Sequence, residues 1–233
     1  IDLTHLQICD LGTRNRFNFQ TQWRVVDYLR QALPHHSFIG TSNLHIAREM
    51  HVPAIGSQGH EWFMAHQQLS VLHQSQKAAL SQWVTVYQGH PGLALSGTTS
   101  FDAFLQNFSL FYAKLYDGIR MNVPEPAPYI ERIIEHYQKL GIDPKTKYLM
   151  LSDDLDLDEK LLTIYHTYHQ RINLIFGIRD KCTCNFKNYK KANMIMDLVE
   201  CEGYPVARVD QGIPQSSHVH SAFLAYFKTM FEP

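Results

Sequence analysis

The residues best suited to chemistry lie in one short run, Gly56–Gln67, which reads GSQGHEWFMAHQ. An apolar stretch, Val52–Ile55, enters it, the permissive residues Gly56, Ser57 and Gly59 follow, and His60-Glu61-Trp62 then opens a long helical pattern. This order predicts a buried strand, a tight turn and a histidine at the mouth of a helix. A helix N-terminus presents unpaired N–H groups and a partial positive charge, so anions settle there. A histidine so placed can exchange protons near neutral pH or attack phosphorus as a nucleophile. It can equally be a packing residue at a helix start, and spacing alone leaves both readings open. The run HEWFMAH is not a zinc-protease HExxH motif, because His60 and His66 are six residues apart and fall on different helix faces.

Other polar groups follow apolar runs in the same way. Arg14 and Arg16 come after Leu6–Leu11, and Arg120 comes after Tyr116-Asp117-Gly118-Ile119. Each is either a solvated arginine or part of an anion clamp. Ser152-Asp153-Asp154-Leu155-Asp156 opens a helical pattern, where capping competes with contacts to Mg²⁺ or hydroxyls. Cys182 and Cys184 with Cys201 lack the CxxC pairs usual for structural zinc, and no protein-held metal is expected. Met194 and Met196 read as core-lining.

The elements that must position these groups repeat as short apolar strand, polar turn and amphipathic helix. Strands are expected at Leu6–Leu11, from Phe38, at Val52–Ile55, Leu93–Leu95, Tyr116–Arg120, Lys147–Leu151 and Ile172–Ile178. Helices are expected at 17–33, after Asn43 to Met50, from His60 to about Tyr87 with a break near Ser70, at 101–113 with Phe104, Phe108 and Phe111 as a core stripe, at 129–140 and at 157–168. A hairpin, Asp197–Glu202 with Pro205–Val209 joined by Gly203-Tyr204, and a closing helix Ser221–Phe231 end the chain. Seven such units favour an α/β fold with a parallel sheet, specifically a (β/α) barrel over residues 1–195 with the 196–233 hairpin and helix packed on it. In a barrel, chemistry sits on the loops after the strands, here those with Arg14, Thr41, His60, Ser96, Arg120, Ser152 and the polar 179–187 turn.

The 233 residues, 45% hydrophobic with net charge −1 and pI near 7, suit one large domain and argue against a nucleic-acid or membrane footprint. No apolar run approaches membrane-helix length, and sparse cysteine points to a reducing, cytoplasmic setting.

Several of these runs occur together in one order: DLGTRNRF (10–17), GTSN (40–43), GSQGHEWFMAHQ, DGIR (117–120), HYQKLGIDPKTK (136–147), SDDLD (152–156) and LVECEGYPVA (198–207). So arranged, the chain resembles the bacterial-type nicotinate phosphoribosyltransferase family over its whole length. The resemblance implies a type II phosphoribosyltransferase barrel, incomplete and without the family's N-terminal domain. It also implies joining of nicotinate to phosphoribosyl pyrophosphate in NAD salvage, driven by ATP through a phosphohistidine with Mg²⁺ required, and no tightly bound cofactor. His60 resembles the phosphorylated histidine, Arg14 and Arg120 the arginines of the base and ribose pocket, and Thr41, Ser42 and Ser152 positions around the substrate. The partner implied is a second copy, or a chain supplying the missing domain.

Departures from the family pattern cluster at strand ends. The carboxylate expected before the family's serine-glycine-aspartate is the neutral Asn122, Pro124 replaces a glycine and removes an N–H, and Ser96-Gly97 replaces a threonine-aspartate pair. The phosphate turn is Gly177-Ile178-Arg179-Asp180, where Arg179 puts a side chain at a glycine position and Asp180 repels an anion. Three expectations therefore stand: a phosphoribosyltransferase of weak or no activity as this chain, a non-catalytic nicotinate- or nucleotide-binding subunit, and a truncated product without ligand function.

Overall fold

The computed structural model describes residues 4–152, 159–186, 196–209 and 220–231. In chain order the elements are β1 (Gln7–Asp10), α1 (Phe19–Ala32), β2 (Phe38–Thr41), α2 (Leu44–Met50), α3 (His60–Leu69), α4 (Ser75–Tyr87) and β3 (Leu93–Leu95). Then come α5 (Phe101–Asn107), α6 (Leu110–Leu115), β4 (Gly118–Met121), α7 (Ala127–Lys139), β5 (Tyr148–Leu151), α8 (Glu159–Tyr168) and β6 (Asn173–Ile178). The last are α9 (Asp180–Thr183), β7 (Glu200–Cys201), β8 (Tyr204–Pro205) and α10 (Ser221–Phe231). The chain forms two compact units, one drawn from Ile1–Gly56, Asn122–Tyr129 and Pro144–Ile195, the other from Ser57–Met121, Ile130–Asp143 and Met196–Pro233. No helix among the described residues is long and apolar enough to cross a membrane.

The first unit is a four-stranded parallel sheet in the order β2-β1-β6-β5. Its strands are short and apolar (QICD, FIGT, YLML, NLIFGI), as parallel strands covered on both faces must be. Ile8, Cys9, Phe38, Leu149, Leu174 and Phe176 are buried in it. Because the strands run the same way, Thr41, Asp10, Ile178 and Leu151 all end at one edge, and the loops beyond that edge carry the polar side chains. Helices α1 and α2 start with asparagine caps: Asn18 Oδ1 accepts from Thr21 N–H at 2.8 Å and Asn43 Oδ1 from Ile46 N–H at 3.2 Å.

The second unit pairs β3 with β4 in parallel, Leu95 opposite Arg120. Its core is aromatic, with Phe104, Phe108, Tyr116 and Tyr137 fully buried beside Leu80 and Ile119. The phenol of Tyr116 accepts from Gln58 Nε2 at 3.0 Å and donates to Leu80 O at 3.0 Å, and Gln58 Oε1 accepts from Leu95 N–H at 3.0 Å. One buried glutamine thus ties the approach to α3 to β3 and α4. Phe227 and Phe231 of α10 pack with Ala103, Ala207 and Val209 in the same unit.

Four expectations are corrected. Val52–Ile55 forms no ladder strand, only one parallel bridge between Thr41 and Ala54, and Pro53 and Ala54 are exposed. Thr41 N–H donates to Pro53 O at 3.1 Å and Ile55 N–H to Thr41 O at 2.9 Å, but Pro53 has no N–H with which to extend the pairing. The described residues therefore hold six parallel strands, four in one unit and two in the other. The 101–113 helix breaks at Phe108–Ser109, which resets the helical phase and leaves Phe111 60% exposed. The hairpin turns at Glu202-Gly203, both at positive φ (52° and 78°) in the type I′ manner, one residue earlier than expected. Met196 is 88% exposed, outside any core, and Met194 lies outside the described residues.

Gly40 is the tightest backbone contact of the first unit. Its φ is 137° and a Cβ placed there would lie 2.2 Å from Pro53 O. Gly40→Ala should therefore lose at least about 1–3 kcal/mol from backbone strain alone, read as a lowered midpoint in urea unfolding with unchanged slope.

Candidate active site

Helix α3 starts at His60, with Gly59 as its cap and no side chain closing the first turn. His60 Nδ1 is 3.0 Å from Thr98 Oγ1, which fixes the ring and directs chemistry to Nε2. The imidazole is half-buried, and its pKa is drawn down to about 3 by burial first, then by the guanidinium charges of Arg208 and Arg120. His60 is accordingly neutral at physiological pH, a state in which a ring nitrogen has a lone pair to offer. Arg120, at the end of β4, donates through Nη1 to Ser57 Oγ at 2.7 Å, and Ser96 N–H and Oγ both donate to Arg120 O, at 3.0 and 3.1 Å. Arg120 and Arg208 thus both act on His60 in this unit. An uncharged imidazole on which two guanidinium charges bear is suited to accept a phosphoryl group and hold the charge it brings.

In the other unit the strand ends converge on Asp10. Its carboxylate accepts from Thr41 Oγ1 and Gln22 Nε2, both at 2.6 Å, and from Gly12 N–H at 3.0 Å. Burial raises its pKa above the usual carboxylate range, against the lowering pull of those three donors and of the Arg16 charge. Gln22 Oε1 in turn accepts from Arg16 Nη1 at 2.7 Å and Asn43 Nδ2 at 3.0 Å. Ser42 Oγ is 3.2 Å from Thr13 Oγ1, on the rim of this network. Burial, then the Asp10 charge, pushes the Cys182 thiol up, so it is no ready nucleophile.

Of the residues singled out by sequence, His60 and Arg120 share one unit. Arg14, Thr41, Ser42, Ser152, Gly177 and Arg179 belong to the other. There Thr41 and Ser42 are tied to the Asp10 network, and Ser152 is buried at the end of β5. Arg14 is exposed with its Nε on Asn15 Oδ1 at 3.1 Å. Gly177 meets a side chain: a Cβ there would lie 2.4 Å from Leu11 Cδ1. Arg179 precedes the single turn of α9, in which Asp180 is buried. Asn122 Oδ1 is buried and has no hydrogen-bond partner among the described residues. The acids Asp153, Asp154 and Asp156 lie outside the described residues, and among the described residues no three His, Cys, Asp or Glu side chains gather to hold a metal. Sequence reasoning missed Asp10, Gln22, Gln58, Thr98 and Arg208. Only Asp10 carried a signal, as an acid closing an apolar strand.

Fold and site define a parallel α/β protein that sets a neutral imidazole among cations at a helix start. The model of the nicotinate phosphoribosyltransferase (NAPRTase) family matches residues 6–233, and the chain belongs to that family. A nicotinate phosphoribosyltransferase of Buchnera aphidicola (subsp. Acyrthosiphon pisum, strain Tuc7) is 46% identical over 210 residues, 90% of this chain and 52% of the relative. One from Photorhabdus laumondii is 42% identical over 233 residues, 100% of this chain and 57% of the relative. The crystal structure of the Vibrio cholerae nicotinate phosphoribosyltransferase superposes with a TM-score of 0.89 at 36% identity, covering 97% of this chain and 55% of that one. That of the Porphyromonas gingivalis enzyme gives 0.87 at 28%, covering 97% and 59%. The chain spans about half the length of the curated relatives it matches.

An imidazole that resists protonation only when folded makes stability depend on pH. Between about pH 6.5 and about 3 the unfolded chain takes up a proton that folded His60 refuses, so this contribution is intact above pH 6.5 and is lost as pH falls toward 3. The melting temperature of the unchanged chain should therefore drop more steeply from pH 7.5 to 4.5 than that of His60→Asn. The opposite pull of Asp10 is common to both and cancels in the comparison.

Proposed function

We propose that this chain carries the phosphohistidine half of a nicotinate phosphoribosyltransferase, acting in NAD salvage in the cytoplasm. The observation that carries the reading is the neutral imidazole of His60, with Thr98 on Nδ1 and the charges of Arg120 and Arg208 bearing on it. In this reading Nε2 attacks the γ-phosphorus of ATP, the bond from phosphorus to the bridging oxygen breaks, ADP leaves, and the ring proton stays on Nδ1 against Thr98 Oγ1. The phosphoryl group brings about −1.5 to −2 charges at neutral pH, which Arg120 and Arg208 offset. Loss of that group to water then drives joining of nicotinate to phosphoribosyl pyrophosphate, with release of pyrophosphate. Mg²⁺ would arrive on polyphosphate oxygens, since hard cations take such ligands together with waters. Arg14, Thr41, Ser42 and Ser152 are assigned to substrate, Gly177 and Arg179 to a phosphate turn of altered geometry. We read the six strands as part of a (β/α) barrel of the type II kind, working as a homodimer.

A second reading, a non-catalytic nicotinate- or nucleotide-binding subunit, is favoured by the residue just past β4. There the neutral Asn122 stands with an unpartnered buried oxygen in place of a carboxylate. An amide cannot replace a charge that steers metal and substrate. With nicotinate, phosphoribosyl pyrophosphate, ATP and Mg²⁺, the isolated chain should turn over far below roughly one per second, while nicotinate or nucleotide binds in titration calorimetry. Turnover at or above that rate would reject the reading of a weakened enzyme, and absence of all binding would reject both.

A further inference from the structure

His60 lies beside a segment, Val206–Val209, that nothing in the sequence marked as functional. Its backbone is stitched in place from both sides. Ala207 N–H donates to Gln67 Oε1 at 2.9 Å, and Gln67 Nε2 donates back to Ala207 O at 2.5 Å. Two residues on, Val209 N–H donates to Thr98 O at 3.0 Å. Both anchors belong to His60's own surroundings. Gln67 is two turns along α3 on the face that carries His60, and Thr98 holds the imidazole with its hydroxyl while holding Val209 with its carbonyl. Val206, Ala207 and Val209 are buried, as are the side chains of Gln67 and Thr98. Arg208 sits in the middle of this clamp with its side chain 14% exposed. Its guanidinium acts on the imidazole more strongly than that of Arg120.

The counter-ion is loosely made. Asp197, 20% exposed, approaches Arg208 Nη2 at 3.2 Å through Oδ1 and 3.4 Å through Oδ2, and Oδ1 makes no hydrogen bond. A well-formed guanidinium–carboxylate fork closes to about 2.7–2.9 Å.

We propose that Arg208 is a phosphate-holding residue of the His60 site, carried there by the Gln67–Ala207 and Thr98–Val209 hydrogen bonds and parked on Asp197 when no phosphoryl group is present. This rests on the reading of His60 as the phosphorylated residue. A guanidinium fork matches two phosphoryl oxygens at once, so Arg208 would slow loss of the group and raise the occupancy of the phosphorylated state.

The test is acid-labile label on the full 233-residue chain, from [γ-³²P]ATP and, separately, from phosphoramidate, which modifies histidine without a nucleotide site. Variants are His60→Asn, Arg208→Met (which keeps the apolar stem), Arg208→Lys and Asp197→Asn, each checked for folding by circular dichroism. His60→Asn should lower the label from phosphoramidate by the share His60 carries and abolish the label from ATP. Arg208→Met should lower it about tenfold or more, with most of it restored in Arg208→Lys, while Asp197→Asn leaves it equal or raised. Arg208→Met should also move the NMR titration midpoint of His60 upward. Label in Arg208→Met equal to that of the unchanged chain, or an equal fall in Arg208→Met and Asp197→Asn, would overturn the assignment of Arg208 alone. If Arg208→Met does not fold, a fall in Asp197→Asn overturns it. An unchanged chain that takes no label from ATP, or a His60→Asn chain that keeps the label from ATP, overturns the reading of His60 itself.

Discussion

The two groups whose charges bear on His60 are both cations, and the structure admits them only because the imidazole does not join them. A third positive charge would add repulsion to the cost of removing an imidazolium from water. Neutrality is therefore imposed by the surroundings and is not a property of histidine at neutral pH. It also sets what the surroundings must be. Every other polar group near α3 has to be satisfied by a fixed partner, since a mobile or orphaned one would cost as much as the site could return. Gln58 and Gln67 meet that condition with both ends of their amides, one to a tyrosine phenol and a strand N–H, the other to the N–H and C=O of Ala207. Two buried glutamines thus do for the irregular segments what a ladder does for strands.

The other unit solves a similar problem with opposite charge. Asp10 ends β1 among donors from β2, α1 and the turn after β1, and its oxygens take a hydroxyl, an amide and a backbone N–H. Gln22 again serves two sides, donating to Asp10 and accepting from Arg16 and Asn43. Parallel strands make this possible because their ends lie at one edge, where side chains from distant parts of the sequence meet. The glycines there make room for side chains. A Cβ on Gly12 would lie 2.6 Å from Thr183 Oγ1, as one on Gly177 would strike Leu11.

What could be read from the sequence follows from how local its causes are. The start of α3 at His60, the break at Ser70, the Asn43 cap and both ends of α10 depend on residues within a turn or two, and the structure has them where pattern put them. Val52–Ile55 looked like a strand because apolarity was weighed above the missing N–H of Pro53. Phe111 looked buried because periodicity was carried through a break that only Ser109 and the packing of Phe108 announce. Gln67, Thr98 and Arg208 were not legible at all. The bonds that give them a role span 140 residues between Gln67 and Ala207, and no composition or spacing rule reaches that far.

That limit explains why the departures and the retained features point in different directions. Substitutions such as Asn122 for a carboxylate are visible one residue at a time and argue for lost chemistry. The features around His60 are relations, namely a ring nitrogen on Thr98, a carbonyl of the same threonine on Val209, and a guanidinium between the two anchors of its segment. A relation of this kind constrains several positions at once. The Arg208–Asp197 pair, at 3.2 and 3.4 Å, is the loosest contact of the set, while the backbone on both sides of Arg208 is held by Gln67 and Thr98. Successive side chains of an extended segment face opposite sides, so Ala207 and Val209 can be buried while Arg208 between them stays partly exposed. The backbone bonds of Ala207 and Val209 therefore fix where the guanidinium starts from, without any contact of its own being needed to hold the segment.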